Sequence, residues 1–286
     1  MASMEINTIG VCGAGTMGSG IALTAAQAGF ATLLYDLNEE ALEKARSQHH
    51  KELEKSVAKG RITSEQVKKI MALLRYTHEL DTCLAELFIE AIVEKTAPKV
   101  ALFNQLAELN HSDCVFASNT SSLSITEIAK QVQHPERVIG LHFFNPATLM
   151  KLVELVTTPF TNETVTATAK ELILQMGKTP VICQDAPGFI VNRVARPYYI
   201  ESLRMAEQEG ADLAQIDRVL EAAGFRMGPF KLMDLIGNDI NYAVSCSVYE
   251  QLGKPERLLP SYLQQRLVQE GKWGRKSGEG YYTYES

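Results

Sequence analysis

Three glycines at fixed spacing, in Gly13-Ala14-Gly15-Thr16-Met17-Gly18, constrain this chain more than any other feature. They follow a β-branched run, Ile6–Cys12, and open a stretch rich in Ala and small residues, Met17–Ala28. A G-x-G-x-x-G triplet alone recurs by chance, but strand–turn–helix is the setting in which it cradles a dinucleotide. There the first glycine permits a tight turn, the second lets backbone approach a pyrophosphate, and the third lets helix and strand pack closely. The helix N-terminus adds N–H groups and partial positive charge for the phosphates. Asp36 closes the next apolar run, Ala31–Tyr35, about 20 residues on, where a carboxylate accepts from the ribose 2′-hydroxyl and repels a 2′-phosphate. No Arg follows it in Leu37-Asn38 to reward that phosphate, so the expected cofactor is NAD rather than NADP. The competing reading makes the glycines an ordinary strand–helix turn and Asp36 a cap on the next helix.

The first part of the chain continues this alternation. Leu87–Val93, Cys114–Ala117, Val138–Leu141, Leu152–Val156 and Pro180–Cys183 read as strands. Asn38 to about Leu74 reads as two helices broken near Gly60, and further helices are expected over Ala97–Leu109, from Ser124, and over Glu163–Gln175. Alternation of this kind predicts an α/β domain, a Rossmann-type doubly wound parallel sheet with helices on both faces. After Ala186-Pro187-Gly188 strand candidates vanish, and helical periodicity is punctuated by Gly210, Gly224, Gly237, Gly253 and Pro260. The expected division is therefore a dinucleotide-binding domain over 1–185 and an all-helical domain over 186–286, ending in a short extended tail, Gly280–Tyr284.

A chain of 286 residues that is 45% hydrophobic can fill the cores this requires. Its net charge of −6 offers no general attraction to nucleic acid or an anionic membrane, so neither is an expected partner. Five scattered cysteines form no C-x-x-C pair, which argues against a zinc site or disulfide framework and for reduced thiols; no metal is expected. The opening Met-Ala-Ser-Met-Glu-Ile has neither the apolar stretch of a signal peptide nor the Arg-rich helix of a transit peptide, and the expected location is cytoplasmic.

Chemistry must come from residues other than the glycines. Ser118-Asn119-Thr120-Ser121-Ser122 and His142-Phe143-Phe144-Asn145-Pro146 each follow a strand, and ligands of open α/β sheets bind beyond such strand ends. Removing a hydride from an alcohol requires a base for the hydroxyl proton, a task suited to neutral imidazole near pH 7. Glu154, inside a strand, would stabilise the resulting imidazolium if the two strands bring it to His142. Taken singly, His142 is also consistent with a hydrogen-bonded strand-end histidine, and Glu154 with an edge-strand charge. His49, His50, His78, His111 and His134 lie in polar contexts and are expected at the surface.

The motifs GAGTMG, EAIVE, FASNTSSLSIT, GLHFFNP, MKLVELV, PGFIVNR, GPFKLMDLIG and GRKSGEGYY, in this order along almost the whole chain, resemble the L-3-hydroxyacyl-CoA dehydrogenase family, which includes 3-hydroxybutyryl-CoA dehydrogenases. The resemblance implies interconversion of an (S)-3-hydroxyacyl-CoA and a 3-oxoacyl-CoA with NAD. It makes His142 the general acid/base and Glu154 its partner. It places Ser121 and Asn192 near the reacting oxygen or thioester, and Glu94, Lys99, Asn145 and Lys276 on the cofactor side. It also implies a homodimer formed through the helical domain, which would share in the substrate site. Lys59, within the basic set Lys51, Lys55, Lys59 and Arg61, matches a CoA contact, against the competing reading of a solvated helix face. Glu52 departs from relatives with Ser at that position, and Ala147-Thr148-Leu149 departs from the usual Pro-Val-Pro, which leaves acyl length open. The alternatives are a dehydrogenase of a free hydroxy or sugar acid, gulonate-type, and a non-catalytic crystallin-like NAD-binding protein.

Overall fold

Most of the β-branched runs of the first 185 residues become strands of one sheet, and the spacing between runs decides how they connect. The computed structural model describes residues 3–285. Within them the order is β1 (Thr8–Cys12), α1 (Thr16–Gln27), β2 (Ala31–Tyr35), α2 (Glu39–Ala58), α3 (Ser64–Leu73), β3 (Leu74–Thr77), β4 (Leu87–Glu90), α4 (Thr96–Leu109) and β5 (Val115–Ser118). Then come α5 (Ile125–Ala129), β6 (Val138–Phe143), β7 (Leu152–Thr157), α6 (Glu163–Gln175) and β8 (Thr179–Gln184). The sheet runs β3-β2-β1-β4-β5-β6-β7-β8. This is the Rossmann-type arrangement, with a short strand, β3, that the helical pattern around it had concealed.

One expectation about the sheet needs correcting. β6 and β7 are antiparallel, so the sheet is mixed. A parallel crossover needs a dozen or more residues. The connection over 144–151 is shorter than that and permits only a hairpin. The pairs β1–β2, β1–β4, β4–β5, β5–β6 and β7–β8 are parallel, as expected.

The core of this unit is the apolar surface of the sheet and the helices laid on it. Ile9, Val11, Ile89, Val115, Ile139, Leu141 and Leu155 are fully buried, with Ile21, Ala22 and Ala25 of α1 among them. His49 is a second correction: it is buried, not superficial. It stands in phase with Leu42, Ala45 and Leu53 on the inner stripe of α2. Its Nε2 lies 2.8 Å from Ser19 Oγ and 2.9 Å from the Ser19 carbonyl, and its Nδ1 2.7 Å from the Tyr76 hydroxyl. Burial lowers its pKa, against the opposing pull of the Ser19 carbonyl and the Glu52 charge.

The chain divides into two compact units, 1–185 and 186–286. The second contains α7 (Val191–Glu209), α8 (Leu213–Ala222), α9 (Pro229–Ile236), α10 (Asn238–Gln251) and α11 (Tyr262–Gln269). Tyr199, Leu203, Ile216, Phe230 and Met233 form its apolar centre. Two buried carboxylates organise the rest. Asp217 accepts from the Phe230 and Lys231 amides at the start of α9 and from the Tyr282 hydroxyl. Asp234 accepts from the Tyr281 and Tyr282 amides and the Tyr284 hydroxyl. The tail is therefore not the extended segment expected. It folds back through isolated bridges, Gly274 to Glu279 and Glu279 to Thr283, because these side chains bind its amides.

Candidate active site

The glycine loop is built as its spacing requires. Gly13 has φ 103°, and a Cβ there would come within 2.6 Å of the Ala91 carbonyl oxygen. A Cβ on Gly18 would collide with the Gly13 carbonyl, so a side chain at either position would push α1 off the strands. Gly15 faces open space, and α1 begins there with no side-chain cap and no acid in its first turn. An open helix start of this kind suits a diphosphate. Asp36 lies against the same loop: its Oδ2 accepts from the Ala14 amide at 2.6 Å and its Oδ1 from the Asn38 amide at 2.9 Å. These residues fit a dinucleotide, with the carboxylate held where a ribose would follow the phosphates.

At the ends of β4 and β5 lies a buried polar network. Glu90 is fully enclosed; its Oε1 accepts from Lys99 Nζ at 2.5 Å and the Ile92 amide at 2.7 Å, and its Oε2 from Ser118 Oγ at 2.7 Å. Burial raises the Glu90 pKa against the pull of these donors. Lys99 Nζ also reaches Glu94 at 3.3 Å. Glu94 in turn accepts from Thr120 Oγ1 (2.5 Å), Ser122 Oγ (2.9 Å) and the Ser121 amide (3.2 Å). Burial opposes the Glu94 charge, but Thr120, Lys99 and Ser122 together hold its pKa below the usual value. Glu94 and Ser121 are thus brought together, and Lys99 sits beneath them between two carboxylates.

The hairpin does what strand spacing alone could not promise. Its register sets His142 opposite Glu154. Both are buried, and His142 Nδ1 lies 2.6 Å from Glu154 Oε2. A carboxylate only accepts, so Nδ1 carries the proton and Nε2 is the basic nitrogen of the neutral ring. Phe144 packs on the imidazole with ring centroids 4.5 Å apart. Asn119 ties the serine-rich loop to this strand end: its amide donates to the Glu90 carbonyl at 2.8 Å, and its Oδ1 accepts from the Phe143 amide at 2.9 Å. A buried, oriented imidazole at a strand end can move a proton to and from a hydroxyl.

Residues 8–186 match the family model described as 3-hydroxyacyl-CoA dehydrogenase, NAD binding domain, and residues 188–284 match its C-terminal domain. The chain belongs to the 3-hydroxyacyl-CoA dehydrogenase family. It is 47% identical over 283 residues to the 3-hydroxyadipyl-CoA dehydrogenase of Escherichia coli, covering 98% of this chain and 60% of that protein. It is 38% identical over 286 residues to the 3-hydroxybutyryl-CoA dehydrogenase of Mycobacterium tuberculosis, covering 99% of this chain and all of that one. The solved (S)-3-hydroxybutyryl-CoA dehydrogenase of Ralstonia eutropha superposes with a TM-score of 0.94 at 32% identity, covering 99% of this chain and 100% of the other. This chain thus spans about three-fifths of the E. coli relative and the full length of the other two.

The other expected residues fall on separate elements of the two units. Asn145 is exposed just beyond β6. Asn192 lies in the first turn of α7, its carbonyl accepting from Arg196 Nε at 2.9 Å. Lys276 pairs with Asp239 at 2.7 Å and lies over the Trp273 ring. Lys51, Lys55, Lys59 and Arg61 are exposed around the end of α2, with no ion pair among the described residues. Sequence reasoning missed Glu90 and Ser118 as partners in the buried network. The available signal was the first acid of EAIVE, Glu90, together with Lys99 in phase with Leu102, Phe103 and Leu106 on α4. It also missed Lys178, whose buried Nζ donates to the carbonyls of Ala147 (2.5 Å) and Met150 (2.8 Å) and pins the hairpin loop.

Proposed function

We propose that this protein interconverts (S)-3-hydroxyacyl-CoA and 3-oxoacyl-CoA with NAD. The observation that carries the reading is the buried 2.6 Å contact between His142 and Glu154. NAD, when bound, supplies the hydride acceptor for alcohol oxidation and the donor for ketone reduction. In oxidation His142 Nε2 takes the 3-hydroxyl proton, and Glu154 stabilises the imidazolium that forms. In reduction the same nitrogen returns a proton to the carbonyl oxygen. Gly13, Ala14, Gly15, Thr16, Met17 and Gly18 would hold the cofactor phosphates and Asp36 the ribose. Glu94, Asn145 and Lys276 would serve the cofactor side, with Lys99 acting through Glu94. Ser121 and Asn192 would hydrogen-bond the reacting oxygen or thioester, and Lys59 a CoA phosphate.

The helical unit is the proposed dimerisation domain with a share in the substrate site. Exposed Leu235, Ile236 and Ile240, on neighbouring α9 and α10, support a two-fold pairing. The proposed location is a reducing, cytoplasmic one. All five cysteines are free thiols, and no helix among the described residues is long and apolar enough to cross a membrane. The acyl groups in the relatives' names, adipyl and butyryl, differ in chain length and in a terminal carboxylate, so the acyl class turns in part on whether this chain holds a cation for it.

The deciding assay is NADH oxidation with acetoacetyl-CoA and longer 3-oxoacyl-CoAs. Turnover is expected with at least one of them. NADH binding without turnover of any would overturn the reading.

A further inference from the structure

Arg196 is a buried cation with no acid beside it. It stands one turn beyond Asn192 on α7, with only 3% of its surface exposed. Its Nε donates to the Asn192 carbonyl at 2.9 Å, and its Nη1 to the Asn241 carbonyl at 3.0 Å and to Ser245 Oγ at 2.9 Å, both on α10. The guanidinium lies over the Tyr199 ring, 4.9 Å from its centroid. Among the described residues no carboxylate pairs with it, and its hydrogen bonds there use Nε and Nη1. Burial brings its pKa down to about 10, opposed only by Tyr199. Asn241, equally buried, carries another donor without a partner, Nδ2. The other buried arginine, Arg137, lies at the end of β6 away from His142 and caps the carbonyls of His111 and Cys114. Arg196 instead shares a helix face with a residue assigned to the substrate.

A guanidinium held in a protein interior without a counter-charge is costly unless an anion joins it. We propose that Arg196 recognises the terminal carboxylate of a dicarboxylic acyl chain, which makes ω-carboxylated 3-hydroxyacyl-CoAs the preferred substrates. This rests on the hydroxyacyl-CoA reading above. Residues four apart on a helix are neighbours, about 5–6 Å between Cβ atoms. With Asn192 at the reacting end, a carboxylate a few carbons along the acyl chain reaches the next turn. Nη2 donates to it there, in the planar fork that suits a carboxylate better than an ammonium would. A hydrocarbon chain of the same length leaves the guanidinium without that partner.

The test compares 3-oxoadipyl-CoA with 3-oxohexanoyl-CoA, which have the same carbon count and differ in the terminal carboxylate. Wild-type kcat/KM is expected to favour the diacid by roughly 10- to 100-fold, the span of a charge-assisted hydrogen bond. Arg196→Met is expected to lower kcat/KM for 3-oxoadipyl-CoA roughly 10- to 100-fold more than for 3-oxohexanoyl-CoA, and Arg196→Lys to restore part of the difference. If Arg196→Met fails to fold, the wild-type ratio decides, together with inhibition by adipyl-CoA against hexanoyl-CoA. Equal losses on both substrates in a folded Arg196→Met protein would reduce Arg196 to a staple between α7 and α10 and overturn the proposal. A wild-type preference for 3-oxohexanoyl-CoA would overturn it too while leaving the dehydrogenase reading intact. Reduction of neither substrate nor any other 3-oxoacyl-CoA would defeat both.

Discussion

Glu90 and Glu154 are two almost wholly buried carboxylates on strands of one sheet, and their partners give them different work. Glu90 meets an ammonium and a hydroxyl that are buried with it, and a half-buried backbone amide. An ammonium beside a carboxylate is a fixed point charge, so the group holds β4, α4 and β5 in place. Glu154 meets an imidazole, the side chain that exchanges its proton near neutral pH. Burial of an acid is therefore no sign of catalysis in itself; the partner's proton decides. In the proposed mechanism His142 holds a proton that can leave, whereas Lys99 fixes Glu90 and Glu94.

The sharpest way to break this comparison is to remove each partner in turn. His142→Ala should slow turnover by roughly 100- to 10,000-fold with NADH affinity little changed. Glu154→Gln should slow it as well, and the double variant should lose less than the two single losses combined, because the pair acts as a unit. Near-normal turnover by His142→Ala would place the two glutamates in one structural class.

Lys99→Met should act on stability instead. Stranding Glu90 without its cation costs about 3–5 kcal/mol, read as a lower urea midpoint. Adding Glu90→Gln should recover much of it, because the charge left behind is then gone. A stable Lys99→Met protein would mean that the ion pair does not hold the network.

Asp36 is a third carboxylate, bound only by backbone amides in the described structure, and it tests cofactor choice. Wild type should prefer NAD, and Asp36→Ala should narrow the kcat/KM gap to NADP by on the order of tenfold. A wild-type preference for NADP would remove this account of the residue.

The smallest effect comes from His49, a buried imidazole bonded to Ser19 and Tyr76 rather than to an acid. Burial lowers its folded pKa, so below its unfolded value, about 6.5, the unfolded chain takes up a proton that the folded one resists. Its contribution is intact above that pH and is lost as pH falls through the window down to the folded value. His49→Gln should flatten the slope of stability against pH there, as measured by urea unfolding at stepped pH. An unchanged slope would mean that the ring is charged in the folded protein.

Local sequence carried much of this protein. The glycine spacing, the acid after the second strand and the alternation of runs follow from backbone sterics and periodicity, which act over a few residues. Glu163–Gln175 appears as a helix with the bounds its pattern indicated. Two features were legible but misread. The 144–151 connection is too short for a crossover, and His49 keeps step with Leu42, Ala45 and Leu53. Which buried charge meets which was decided only in three dimensions. Glu90 finds Lys99 and Ser118 because β4 lies between β1 and β5, and Glu154 finds His142 because one hairpin register aligns them. Arg196 finds no acid because α10 brings it only a carbonyl and a hydroxyl. Strand order and register are set by burial summed over the whole sheet, and no stretch of sequence around a single charged residue carries that sum.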